Sequence, residues 1–329
     1  MPDHALADRP IELGLAAAEP SSGTLFQEDW WLEQASGGRM EQVEVRWDGK
    51  VVGRLPFVRH KSKGMTRLLM PAFTRTLGPT FDLPPSGPVR RRENICRVVS
   101  ELVANLPPHD RFHQYLDPGD ESALAFSLAH CTVGQHFTFR VDAAQDQEQL
   151  WNIMDRNTRR NIRAAAKQHH VIQHADIERF IGLSLVDRPE GKNHNDFAAV
   201  RRLFAACRAR QQATILSVLN ANDRDVASAV LVWDARALYF WVVARDRAIG
   251  GPGANSVLLW EAVKVAQSMG KTFDADSYAT ANSARFIMTF ALHPVVRPSI
   301  IHLSRAGCAF EAFKAIAARK PSIGPATIM

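Results

Sequence analysis

The order of elements along this chain repeats. Read by hydrophobic period and turn residues, it passes twice through an early helix, a β-hairpin, a loop, an apolar helix, a strand, a shorter helix and a strand. The two hairpin turns match in chemistry, Trp47-Asp48-Gly49-Lys50 in the first pass and Trp233-Asp234-Ala235-Arg236 in the second. A period of about 180 residues is far too long for a solenoid unit. Two tandem copies of one α/β domain with mixed sheets account for it. The expected division is an arm at 1–24, a first domain at 25–144 and a second at 145–329, with the boundary near Asp142–Gln147. A length of 329 residues suits two domains of ordinary size.

In the first pass, a strand is expected near Ile11–Leu15 and a helix over Phe26–Gln34, capped by Thr24 and carrying Trp30 and Trp31. Glu41–Trp47 and Lys50–Val58 alternate around Asp48-Gly49 as a hairpin. Arg67–Met70 adds a strand, Pro71–Pro88 is a proline-rich loop, and Arg90–Leu106 is an amphipathic helix. Strand Phe112–Leu116, helix Ser122–His130 and strand Phe137–Val141 follow. The second pass opens with one long helix over Asp146–Gln168, then strand Val171–His174, helix Asp196–Arg210 and strands Ala229–Trp233 and Leu238–Ala244. An apolar helix from Ala254 stops at Gly270, and strand Lys271–Asp274, helix Asn282–Phe290, strand Val295–Ile301 and a terminal helix Ala309–Arg319 complete it.

Composition is that of a folded globular chain, 46% hydrophobic and 22% charged. A net charge of +6 leans toward anionic partners: phosphorylated cofactors, acidic substrates or nucleic acid. Cys96, Cys131, Cys207 and Cys308 lie far apart without metal spacing, so no zinc site is expected and the thiols read as reduced. The N-terminus lacks a signal-peptide pattern and no apolar run reaches membrane-spanning length, so the expected location is cytoplasmic. No G-x-S-x-G elbow, H-E-x-x-H motif or P-loop occurs.

Two stretches suggest anion binding. Gly250-Gly251-Pro252-Gly253-Ala254-Asn255-Ser256 is a small-residue loop leading onto a buried helix, whose free N–H groups and dipole suit a phosphate. On the helix expected over 146–168, Arg156, Arg160, Arg163 and Lys167 form a stripe of one sign, which needs either an anionic ligand or acidic neighbours opposite.

Three stretches resemble the FemAB-like branch of the GNAT acyltransferases. Phe26-Gln27-Glu28-Asp29-Trp30-Trp31, then Gly53-Arg54-Leu55-Pro56-Phe57 and Met70-Pro71-Ala72-Phe73-Thr74, resemble its opening. Arg159-Arg160-Asn161-Ile162-Arg163-Ala164-Ala165 is similar to its basic helix, and Ser256 to Ser277 with Ala284-Arg285-Phe286 to its C-terminal block. The resemblance covers most of 24–300. It implies tandem GNAT-like domains and an N-acyltransferase that uses acetyl-CoA or another acyl-CoA on a small-molecule or peptide amine. An aminoacyl-tRNA donor is the alternative, as is a non-catalytic scaffold of the same fold. The chain has no long charged coiled-coil insertion of the peptidoglycan-bridge kind, which favours acyl-CoA over tRNA.

The resemblance places the pyrophosphate at Arg247, Gly250, Gly251, Gly253, Ala254, Asn255 and Ser256, with Asn282 nearby. Asp274 and Asp276 stand two apart on the following strand and are expected to point together into the cleft, one serving as general base or orienting the amine. Asp276 with Ser277 reads equally well as a helix N-cap. Tyr278 is the candidate proton donor to the leaving thiolate. Trp30, Trp31, Arg160, Arg163, Lys167 and Arg285 are the candidate substrate contacts.

Overall fold

The first hairpin shows how local chemistry sets the frame. Asp48 and Gly49 have φ of 50° and 81°, the left-handed pair that a two-residue turn of matching twist requires. Trp47 then faces Lys50 across it. The computed structural model describes residues 23–309, apart from 63, 188–195, 250, 277–279 and 306. The expected strand near Ile11–Leu15 and the expected helix Ala309–Arg319 therefore lie outside the described residues, but for Ala309 itself.

In the first half a 3-10 turn (Leu25–Gln27) leads into α1 (Asp29–Ser36), β1 (Met40–Trp47), β2 (Lys50–Ser62), β3 (Met65–Leu69) and β4 (Thr80–Phe81). Next come α2 (Pro88–Ala104), β5 (Arg111–Tyr115), α3 (Ala123–Leu128) and β6 (Thr132–Val141). The second half has α4 (Gln147–Ile153), α5 (Arg156–Ala165), β7 (His169–His174), α6 (Ile177–Asp187), α7 (Phe197–Ala209), β8 (Ala213–Asn220), β9 (Asp225–Trp233) and β10 (Ala237–Arg245). It ends with α8 (Gly251–Ser268), β11 (Thr272–Asp274), α9 (Ala281–Met288) and β12 (His293–Leu303).

The structure departs from these expectations at several points, β4 within the expected loop Pro71–Pro88 among them. The long helix at 146–168 is two helices: Met154 is extended (ψ 149°), and Asp155 caps α5 by accepting from the Thr158 N–H at 2.9 Å. Strand β8 was not anticipated, because it is buried on both faces and shows no alternation. Nor was α6, where Gly182 interrupts an otherwise apolar run.

Among the described residues, twelve strands form one sheet in the order β1-β2-β3-β5-β12-β6-β11-β10-β9-β8-β7, with β4 beside β2. The two halves exchange strands. β12, last of the second half, lies between β5 and β6, while β6, last of the first half, lies between β12 and β11. The fold is thus the tandem GNAT-like α/β arrangement, with the two sheets fused through the exchanged pair.

Helix α8 is apolar nearly all round because it is covered on both sides. Leu258, Ala262, Val263 and Ala266 are fully buried, and each large one contributes roughly 1.5–3 kcal/mol. Ile162 and Ala165 of α5 belong to the same core. The crossing is close at Gly253, where a Cβ would stand 2.6 Å from the Ala165 Cβ and 3.0 Å from the Asn161 carbonyl oxygen.

Candidate active site

Strands β10 and β11 run parallel through Ala237↔Thr272, Leu238↔Phe273 and Tyr239↔Asp274, and then part. β11 stops at Asp274 while β10 continues to Arg245, so among the described residues no strand lies beside that edge of β10. Its backbone donors and acceptors there are free of the sheet ladder. On the other edge the register against β9 slips between Phe240 and Val242, so Trp241 is a bulge.

The parting strands open a groove of about 610 Å³. Arg245, Arg247, Gly251 and Asn255 form its outer end, where α8 begins. The first four N–H groups of that helix are outside its own ladder and carry its positive pole. Phe240, Trp241 and Leu259 make an apolar floor, Asn282 and Phe286 of α9 a side wall, and Asp276 with Arg75 the inner end.

Behind the inner end lies a buried ion cluster. Asp274 is fully buried. Its Oδ1 accepts from the Thr138 hydroxyl and, at 2.8 Å, from the Asp276 N–H. Its Oδ2 accepts from Arg140 Nε at 2.7 Å, and Arg297 Nη2 stands 3.4 Å from both oxygens. Burial alone would raise this carboxyl, but Arg297, Arg140 and the Thr138 hydrogen bond outweigh it and hold it below the ordinary carboxylate range. Asp276 Oδ1 pairs with Arg297 Nη1 at 2.9 Å and Oδ2 with Arg75 Nε at 2.7 Å. Arg140 also reaches Asp117 at 3.3 Å. Burial opposes charge on Arg297, yet Asp274 and Asp276 raise it above its usual value.

Asp274, expected as a candidate general base, is fully buried with both oxygens hydrogen-bonded, lies outside the groove lining and pairs with two arginines. Asp274 and Asp276 converge on Arg297, but only Asp276 lines the groove. Asp276 has φ of 63°, so the alternation of an extended chain ends there and its side chain turns toward the groove.

Of the expected diphosphate residues, Arg247, Gly251, Asn255 and Asn282 meet in the groove. Gly253 does not: its bare Cα serves the crossing with α5. Ala254 and Ser256 are 1% and 3% exposed and face the core. Gly250 and Tyr278 lie outside the described residues.

The expected substrate contacts fall elsewhere. Trp31 is fully buried, donates Nε1 to Thr74 at 3.1 Å and stacks edge-on against Trp241, so it backs the groove wall from within the core. Trp30 is half-buried under the Arg210 guanidinium, 4.3 Å from its ring. Arg160, Arg163 and Lys167 are exposed on or just past α5, outside the groove, with Arg163 over the Trp151 ring. Arg285 is exposed on α9 and does not line the groove.

Sequence reasoning missed Arg75, Arg140, Thr138 and Arg297. A signal existed for two of them. Arg140 and Arg297 are lone charges inside apolar strands, and a buried charge demands a partner.

Residues 134–275 match the family described as acetyltransferase (GNAT) domain. No protein of curated function matches the chain in sequence. In solved structures the chain is similar to FemX, at 12% identity and a TM-score of 0.62, over 88% of this chain and 94% of that one. It is similar to a tandem GNAT protein from the clavulanic acid biosynthesis pathway, at 11% identity and a TM-score of 0.50, over 80% and 82%. It is also similar to L-PGS from Bacillus licheniformis, at 9% identity and a TM-score of 0.54, over 87% and 91%.

Proposed function

From the GNAT-domain match over residues 134–275 and the tandem GNAT-like fold, we propose that the chain is a FemAB-like acyltransferase that moves an acyl group from acyl-CoA to an amine in the groove between β10 and β11. One observation carries this reading: the unpaired edge of β10 runs from a cationic helix start to a carboxylate in a single open groove. A thioester cofactor with a diphosphate at one end suits that polarity. The α8 start with Arg245 and Arg247 would hold the diphosphate. The pantetheine arm would run along β10 as a strand would, using backbone groups there other than the Trp241 carbonyl, which Arg75 already holds. The acyl carbon would then lie near Trp241 and Asp276.

Transfer needs no protein nucleophile. The neutral amine nitrogen bonds to the acyl carbon, the carbon–sulfur bond breaks, the new amide nitrogen gives up one proton to solvent, and the departing thiolate takes one up to leave as the thiol. Asp276 would orient the acceptor nitrogen, which gives its ammonium proton to solvent and attacks as the neutral amine, since both Asp276 oxygens are already paired with arginines. Tyr278 is proposed as the proton donor to the thiolate. We treat 25–144 and 145–329 as the two functional units, with the reaction in the second.

The first unit has a counterpart of the groove that is closed. Its parallel pair, Leu69↔His113, parts in the same way, but Leu77 N–H donates to the Tyr115 carbonyl at 2.7 Å and Tyr115 N–H to Met70 Sδ at 3.1 Å. The loop after β3 thus fills that opening.

A second reading, an aminoacyl-tRNA donor, is favoured by one observation. The exposed basic face at Arg156, Arg160, Arg163 and Lys167 belongs to the helix packed on the first turns of α8. A thermal-shift panel separates the readings. Acyl-CoA at a hundred times its Kd should stabilise the fold by about 2.7 kcal/mol and raise the Tm by a few degrees. Stabilisation by charged tRNA alone, weakening steeply with salt, would favour the second reading instead. No shift with any donor would sink both.

A further inference from the structure

We propose that Arg75, carried by the first half, is a positioning residue for the second half's groove: it fixes Asp276 and the carbonyl of the Trp241 bulge, and so sets the opening where acyl group and acceptor meet. The inference rests on the proposed reaction only for its kinetic consequence.

Arg75 lies in the loop between β3 and β4, yet it lines the groove beside residues that otherwise come from the second half. One guanidinium binds both lips. Nε stands 2.7 Å from Asp276 Oδ2, on the β11 side. Nη2 donates to the Trp241 carbonyl oxygen, on the β10 side. Among the described residues the pairing of these two strands ends at Tyr239↔Asp274, so the guanidinium spans the gap where the ladder has ended. Its side chain is 24% exposed, so one face meets the groove while the ion pair is largely shielded.

The loop is itself held to the same wall. Trp241 Nε1 donates to the Phe73 carbonyl at 2.9 Å, Trp31 Nε1 donates to Thr74, and the Phe73 and Trp241 rings meet edge-on at 5.7 Å. Arg75 is therefore delivered by a packed segment, and a rigid fork on a packed segment can hold two backbone positions at fixed separation. Asp276 needs such support, since its left-handed backbone is an uncommon conformation for a residue with a Cβ.

The test uses the full chain with Arg75→Ala and Arg75→Lys. Hydrogen exchange without any donor is the first readout. Arg75→Ala is expected to speed exchange at least about tenfold over residues 240–246 and 274–276, and to leave the 40–62 hairpin unchanged. Arg75→Lys, which keeps the charge but lacks the fork, should fold normally and show a smaller effect in the same two segments. With acyl-CoA and an accepted amine, Arg75→Ala should lose about 30- to 300-fold in kcat with donor KM within about threefold, and millimolar guanidinium should restore at least about fivefold. Unchanged exchange in both variants overturns the proposal. So does turnover within about twofold of the parent, or a loss that guanidinium does not relieve. If the parent binds no acyl-CoA, the reaction reading falls while the exchange result still judges Arg75.

Discussion

Asp274 and Asp276 are separated by one residue and differ in what their loss should cost. Removing the charge of Asp274 leaves Arg140 and Arg297 facing each other without their shared counter-ion, inside the core. Breaking a buried pair in this way typically costs about 3–5 kcal/mol. Asp274→Asn should therefore lower the urea midpoint sharply, and Asp276→Asn should fold more stably than that variant yet lose turnover. Equal midpoints would show that the cluster does not depend on Asp274. A separate effect belongs to His113, half-buried on β5 and bonded to Ser299 Oγ at 3.1 Å. Burial, with Arg111 and His136 nearby, lowers its pKa from 6.5 to about 4. The folded state then keeps it neutral where the unfolded chain would bind a proton. Its stabilising share is complete above about 6.5 and is lost as pH falls toward about 4. Unfolding midpoints across that window should show a slope that flattens in His113→Gln; an unaltered slope would assign it to other groups. The sequence pointed to the pair of carboxylates but not to their roles, because a single left-handed residue decides which one reaches the groove.

Among the elements, the contact of α5 with α8 governs where the groove's outer end sits. Gly253 allows it, and the glycine pattern that suggested a phosphate loop partly reflects this packing. Gly253→Ala should force α5 away, costing about 1–3 kcal/mol. Ala165→Gly removes the nearer of the two obstructing atoms, so the double variant should recover part of the loss, a coupling that a double-mutant cycle reads directly. Additive losses would mean that the Asn161 carbonyl, not Ala165, sets the spacing. The hairpin at Asp48-Gly49, α2, α7 and the buried run of α8 were legible because each carries its own period or turn residues. The break at Asp155 had a legible cap, but the basic stripe runs through it without interruption. β8 offered no such sign, since a strand covered on both faces has the same apolar run as a buried helix.

At the scale of the whole molecule, the duplication visible in element order leaves no trace in sequence of the strand exchange that joins the halves. Which strand fills the gap between β5 and β6 is settled by pairings far apart in the chain, β12 with both. The two openings nevertheless retain a common plan. His113 takes the place of Asp274 beside the last parallel pair, Ser299 that of Thr138, and Arg75 follows β3 at the same remove as Arg245 follows the end of its pairing with β11. The closed first opening thus has an uncharged pair where the open one has a buried carboxylate with two arginines, and its displaced arginine serves the other half. Such interdependence has a mechanical consequence. A first half cut away at residue 143 would leave β5 and β6 without the strand between them, and a second half alone would expose β11 where β6 belongs. Two bare edges and the loss of the Thr138 and Arg140 contacts to Asp274 should prevent either piece from folding by itself. A protease site placed at 143–145, in the turn after β6, should instead give two pieces that stay together, unfold in one transition and keep activity. A first-half fragment that melts cooperatively alone, with protected β6 amides, would show that the exchanged strand is dispensable and that the halves are independent folding units.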